Sequence, residues 1–289
     1  MRRIRFISLS VLVMLCGSAL AQASDAPTYY LALGDSLAQG VQWSPTGDVL
    51  TNHGYADDLY ALLRFRISGL RLAKLGCPGE TTSSMITTGP CTSEYETNFG
   101  VANQLAAAEA FLAKNKVALI TLDIGANDID KCVSLAGVDF SCASGIAPGV
   151  TTNLTIILEA LRAAAPDTPI IAMNYYDPFL AAWTLLPVGG QSFAQQSLVA
   201  ADSFNTLLES IYGAAGVPVA DVAQAFQINN FTSIPFLDNL PLNVFLALNW
   251  TWMKAPPPFG PDIHANDFGY AVIAGAFAEQ IRLHPTSWD

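Results

Sequence analysis

The chain has 289 residues, with 13 basic against 24 acidic side chains for a net charge of −11, and 52% of its positions are hydrophobic. Only 13% of positions carry charge, about half the usual share, which argues against a disordered chain. The negative balance argues against nucleic acid and anionic lipid surfaces as partners. One large α/β domain fits the length, and a monomer is the simplest expectation.

Arg2, Arg3 and Arg5 precede an apolar run over residues 6–15, and Ala19, Ala21 and Ala23 follow. This order predicts a signal peptide over residues 1–23, with A-x-A cleavage after Ala21 or Ala23, and a secreted protein, extracellular or periplasmic. A run of about ten apolar residues is too short to span a bilayer, so no stable membrane anchor is expected. Leu15 is bulkier than a lipidation site at Cys16 normally tolerates. Loss of the leader and its three arginines takes the net charge from −11 to −14.

Export gives the remaining cysteines a structural meaning. Cys77, Cys91, Cys132 and Cys142 are even in number, which predicts two disulfides in an oxidising compartment. Three connectivities are possible, of which the local pairs Cys77–Cys91 and Cys132–Cys142 are favoured. No close-spaced CxxC or Cys/His cluster suggests a metal.

The mature part, residues 24–289, reads as a single domain alternating strand and helix. A doubly apolar segment at 29–33 predicts the first buried strand. A helix follows, with Tyr55, Leu59, Leu62 and Leu63 on one face. The second strand is expected at 70–75, then a helix facing inward through Val101, Leu105, Ala108 and Phe111. The third strand, at 117–124, precedes a helix striped by Leu154, Ile157, Leu158 and Leu161. The fourth, at 169–173, precedes one striped by Phe204, Leu207, Leu208 and Ile211, and the fifth lies at 217–220. Ile273, Phe277 and Ile281 mark the last helix. Such alternation implies a parallel sheet covered on both faces, because each crossover must return the chain. Residues 227–260 break the rhythm. They are too long for an αβ connection and too apolar for a solvated loop. They predict an insertion that either extends the core or forms an apolar wall or lid beside the site.

Ligands of an open parallel sheet bind beyond the carboxyl ends of its strands. Gly34-Asp35-Ser36-Leu37 follows the first strand, Gly76-Cys77-Pro78-Gly79-Glu80-Thr81 the second and Gly125-Ala126-Asn127-Asp128 the third. Pro261-Asp262-Ile263-His264 stands just before the last helix. A hydroxyl, a glycine amide, a carboxamide and an imidazole are the parts that acyl transfer needs. In this order the four blocks resemble the SGNH (GDSL) hydrolase family over essentially the whole mature chain, with Ser36, Gly79, Asn127 and His264 at its named positions. The resemblance implies a flavodoxin-like three-layer α/β sandwich with a five-stranded parallel sheet, and a serine esterase or lipase activity. No G-x-S-x-G elbow points to an α/β-hydrolase instead.

A serine hydroxyl needs a base within reach, and His264 is the natural one, beside a carboxylate, whereas His53 and His284 occupy no comparable motif. The oxyanion donors expected are the backbone N–H of Ser36, the backbone N–H of Gly79 and the side-chain amide of Asn127. Family members usually carry an Asp three residues before the His, a position taken here by Pro261. Asp262, two residues before, is the candidate third member; the alternative is a backbone carbonyl that orients the ring. Asp35 and Asp128 read as structural.

Two apolar stretches, 178–188 and 231–252, are candidate surfaces for an acyl chain and favour a small-molecule or lipid ester as substrate. A carbohydrate acetylesterase or a thioesterase on the same scaffold is the alternative, ahead of a non-catalytic binding module. No cofactor is implied, and the absence of HExxH argues against a metallohydrolase. Sequons at Asn153, Asn230 and Asn249 are open to glycosylation only in some hosts.

Overall fold

A computed structural model describes residues 27–134 and 137–283. The expected leader, with its cleavage sites, and His284 lie outside the described residues. Five strands form one sheet: β1 (Thr28–Gly34), β2 (Leu70–Lys74), β3 (Lys116–Asp123), β4 (Ile170–Met173) and β5 (Val219–Ala220). All neighbours pair in parallel, in the order β2-β1-β3-β4-β5. Tyr30, Leu31, Ala32 and Leu33 of β1 are fully buried, as are Leu119, Ile120 and Leu122 of β3. Burial on both faces is why these segments read as continuous apolar runs.

β4 and β5 start later than their apolar runs do. Pro169 and Pro218 have no N–H to give a ladder, yet their carbonyls accept from Ile120 and Ala172 at 2.9 and 3.0 Å. The Val217 N–H is spent closing the preceding helix on Tyr212 O.

Helix Tyr55–Leu63 packs with the last helix, Asp267–Leu283, on one side of the sheet, where Tyr55 stacks on Phe277 at 4.9 Å. Helices Gln104–Leu112, Phe140–Ala164 and Gly190–Ala214 pack with one another in a second layer. Two inward faces need correction. Leu62 is 55% exposed, because the buried row is the single stripe Tyr55, Leu59 and Leu63 and Leu62 falls beside it. Val101 lies before its helix, which starts only where the Asn103 side chain accepts from Ala106 N. Helix Phe140–Ala164 is long and apolar enough by composition to cross a membrane. Its row Val150, Leu154, Ile157, Leu158 and Leu161 is buried in the core, as in the helix of a covered sheet.

The disulfides are the local pairs, Cys77–Cys91 and Cys132–Cys142. Residues 227–260 form a short antiparallel pair, Ser233–Ile234 with Leu240–Pro241, followed by helix Leu242–Trp250. Val244, Leu246, Ala247 and Leu248 are buried, and this helix packs on the turn Pro178–Ala181. The segment extends the core.

Candidate active site

Because the chain leaves β1 for β2 on one side and crosses to β3 on the other, the carboxyl ends of β1 and β3 border the crevice where ligands bind such sheets. Gly34 ends β1 at φ 134°, pressed so closely on β3 that a Cβ there would lie 1.8 Å from Asp123 O. Asp35 then caps a single helical turn, Ser36–Gln39, by accepting from Leu37 N at 2.9 Å. Buried Asp123 accepts from Ala38 N and from the Tyr55 hydroxyl. Burial, and then the neighbouring Asp35, push the Asp123 carboxyl well above its usual range. Ser36 is thus the first residue of a rigid turn. Its N–H has no acceptor within the turn, as is general at helix starts.

His264 reaches this serine from the far end of the chain. Ser36 Oγ lies 2.9 Å from His264 Nε2, and His264 Nδ1 lies 2.7 Å from Asp262 Oδ1. The same Asp262 oxygen accepts from the His264 backbone N–H at 2.7 Å. This is an Asx turn, and it explains the spacing: a carboxylate two residues before the ring folds back on both the backbone and the imidazole. Of the two alternatives for orienting the ring, the carboxylate is the one in contact.

The insertion holds the loop. Trp252 N donates to His264 O, Asp262 N to Trp252 O, and Asn266 N to Trp250 O. The Tyr176 hydroxyl holds Ile263 O.

Burial would lower the His264 pKa, but the hydrogen bond and charge of Asp262, then the charges of Asp48 and Asp35, outweigh it and raise it. Burial would raise Asp262, and its bond to His264 reverses this to a net lowering. Asp48, from the turn after Gly47, was not singled out from the sequence. Its Oδ2 stands 3.9 Å from Nδ1. No motif marks Asp48, whose place depends on the hairpin Val41–Gln42 with Val49–Leu50. Ligand atoms of Asp48, Asp262 and His264 lie within 4.8 Å of one another, the grouping among the described residues that could hold a cation. Nδ1 and Oδ1 already bond each other, an arrangement suited to proton transfer.

Asn127 is the second residue of helix Ala126–Asp130, directly after β3. Its amide donates to Glu80 O at 2.9 Å, which fixes the side chain and leaves one N–H unspent. Gly79 lies in the turn that Glu80 N closes on Cys77 O, at φ 79° after Pro78, as a left-handed third turn position requires. The loop is tied to the end of β1 by Cys77 N donating to Gly34 O and to the next helix by Cys77–Cys91. Gly79 itself is exposed and does not line the cleft. Asp128 accepts from Thr82 N and Oγ1, and Asp35 caps its turn, so both serve local structure.

Ser36, Asn127 and His264 open on a cleft of about 80 Å³ walled by Leu37, Ile129, Tyr175, Tyr176, Phe179 and Phe204. Of the stretch 178–188 only Pro178 and Phe179 reach it, and residues 231–252 contribute nothing to its wall. The lid reading of the insertion is therefore set aside: Val244, Ala247 and Leu248 of its helix are buried in the core, while Phe231, Phe236 and Leu237 are exposed to solvent and line no part of the cleft.

A doubly wound parallel sheet with a serine and an imidazole in contact at its carboxyl edge defines an ester-bond hydrolase. The model of the GDSL-like Lipase/Acylhydrolase family matches residues 32–272, and the chain belongs to that family. Among solved structures the chain is similar to the extracellular lipase from Streptomyces rimosus, at 17% identity and a TM-score of 0.58 over 87% of this chain and 99% of that one. Phospholipase A1 from Streptomyces albidoflavus aligns at 20% identity and a TM-score of 0.54 over 88% and 99%. The acetyl xylan esterase AlAXEase aligns at 12% and 0.52 over 88% and 99%. No curated protein matches the sequence. These likenesses confirm the expected three-layer α/β fold.

Proposed function

We propose that the protein is a secreted serine esterase or lipase acting on carboxylic esters through Ser36, His264 and Asp262. The observation that carries this is the continuous relay of Ser36 Oγ, His264 and Asp262 at 2.9 and 2.7 Å. Ser36 Oγ attacks the ester carbonyl carbon as its proton passes to His264 Nε2. Asp262 holds Nδ1–H and stabilises the imidazolium that forms. The tetrahedral oxyanion is met by the Ser36 N–H and the free amide hydrogen of Asn127, which border the cleft; Gly79, whose N–H is expected as the third donor, stands outside the cleft wall. The imidazolium then protonates the departing alcohol oxygen, leaving an acyl-serine. Water, deprotonated by the neutral ring, hydrolyses that intermediate and restores the hydroxyl.

The raised His264 pKa suits a ring that must take up a proton, while burial keeps the site in low dielectric. The apolar cleft supports an acyl or aryl ester over a strongly polar one. Secretion is supported by the leader signature and by two disulfides. The test is covalent labelling by a fluorophosphonate. The intact protein is expected to label and Ser36→Ala not to label, with chromogenic esters from acetyl to palmitoyl fixing the chain length. Labelling that persists in Ser36→Ala, or no labelling of the intact protein, overturns the assignment.

A further inference from the structure

Asp130 has no part in the relay or the oxyanion donors, yet it forms part of the cleft wall, one helical turn beyond Asn127. Three carboxyls stand in that wall, and two are spent. Asp35 accepts from Leu37 N and the Tyr175 hydroxyl, and Asp177 from Phe179 N and Ser197 Oγ. The Asp130 side chain has no hydrogen-bond or ion-pair partner among the described residues. Among the described residues no lysine or arginine lines the cleft. Asp130 is half-buried and its carboxyl meets solvent only through the cleft, so a ligand that fills the cleft strips that water and must supply a partner in its place.

On the reading of the site as a serine esterase, we propose that Asp130 is a specificity-determining residue that selects esters bearing an ammonium group, seated in the cleft among its aromatic rings. Tyr175, Tyr176, Phe179 and Phe204 share that wall, and aromatic rings attract alkylammonium ions, the more so when desolvated. The chain's net charge of −11 steers cations toward it and anions away. The charged and titratable groups around Asp130 agree. Burial first, then Asp35 and Asp177, push its carboxyl up to about 7, against the opposing charge of His264. An arriving cation would offset those costs and hold Asp130 ionised, whereas an alkyl chain would leave it unpaired.

The experiment compares isosteric esters that differ only in charge. One pair is choline butyrate against 3,3-dimethylbutyl butyrate. The other is a p-nitrophenyl ester whose acyl chain ends in trimethylammonium against one ending in tert-butyl, so either side of the ester can occupy the cleft. In at least one pair the cationic member is expected to have the higher kcat/KM, by about tenfold. That ratio should grow between pH 6 and 8 as Asp130 ionises; the His264 titration is common to both members and cancels. Asp130→Asn should bring the ratio close to one while neutral esters are still hydrolysed. Should that variant fail to fold, competitive inhibition of the wild type by tetramethylammonium against the neutral ester is the second measurement. Turnover of neutral esters without cation preference, a preference that survives Asp130→Asn, or absence of that inhibition overturns the proposal and leaves the esterase site standing. No turnover of any ester together with no labelling at Ser36 sinks the site, and the proposal with it.

Discussion

Asp262→Asn probes the unusual two-residue spacing directly. In the wild type one carboxylate oxygen accepts from both the His264 backbone N–H and ring Nδ1, each at 2.7 Å. The backbone bond constrains an asparagine as well: its carbonyl oxygen is drawn to the backbone N–H, and so still faces Nδ1–H. The tautomer is then preserved, and what is lost is the charge. A hydrogen bond to a charged group contributes about 1.5–3 kcal/mol, so kcat/KM should fall by about tenfold to somewhat over a hundredfold. The sign of the pH effect follows from the same geometry. Asp262 raises the His264 pKa, and the ring acts as a base only above that pKa, so the acidic limb of the profile should move to lower pH in the variant. Asp48, at 3.9 Å and half exposed, is screened and should sustain part of the effect. Asp48→Asn alone should move the limb the same way by less, and the double variant should lose more than either. The assay is the pH profile of kcat/KM for a p-nitrophenyl ester. A loss near ten-thousandfold with an unmoved limb would mean that asparagine reverses the tautomer, as in the protease triad, and would refute the Asx-turn argument. An unchanged kcat/KM would remove Asp262 from the relay.

Asn127→Ala should lower kcat by about a hundred- to thousandfold, the cost of one oxyanion donor, with an unchanged far-ultraviolet dichroism spectrum; wild-type turnover would exclude that role. His264→Ala should reduce turnover almost to background, and residual turnover close to wild type would place the base elsewhere. Gly34→Ala should abolish soluble expression or lower Tm sharply, since its Cβ would lie 1.8 Å from Asp123 O; a Tm within about a degree of wild type would contradict the close approach of β1 and β3. Replacing Cys77 and Cys91 by serine opens a bridge across a separation of 14 residues. That should cost roughly 3 kcal/mol in the chain-entropy model, or about 6–12 °C in Tm for a domain of this size, by scanning calorimetry.

How far each part of the site could be read from the sequence depended on how local its cause was. The DxH spacing announced a departure at Asp262 but not its outcome, because an Asx turn and a carbonyl-oriented ring both satisfy the same residues. The insertion was visible as an apolar anomaly, yet its role as the brace of the His264 loop rests on backbone bonds from Trp250 and Trp252, which carry no side-chain pattern. Gly79 was legible as a member of the block after the second strand, whereas its left-handed φ of 79° emerges only with the folded turn.

The amino-acid order by itself determined the strand–helix alternation, the buried rows of most helices and the four chemistry-bearing blocks at strand ends, since burial periodicity and turn chemistry act over a few residues; the disulfide pairing it only favoured. Tertiary structure alone decided that Ser36 and His264 touch, that Asp48 stands beside the ring, that Asp130 faces the cleft unpaired and that residues 231–252 turn away from it. Those facts depend on how crossovers of tens of residues bring distant segments to one sheet edge, and side-chain periodicity carries no record of which segments will meet.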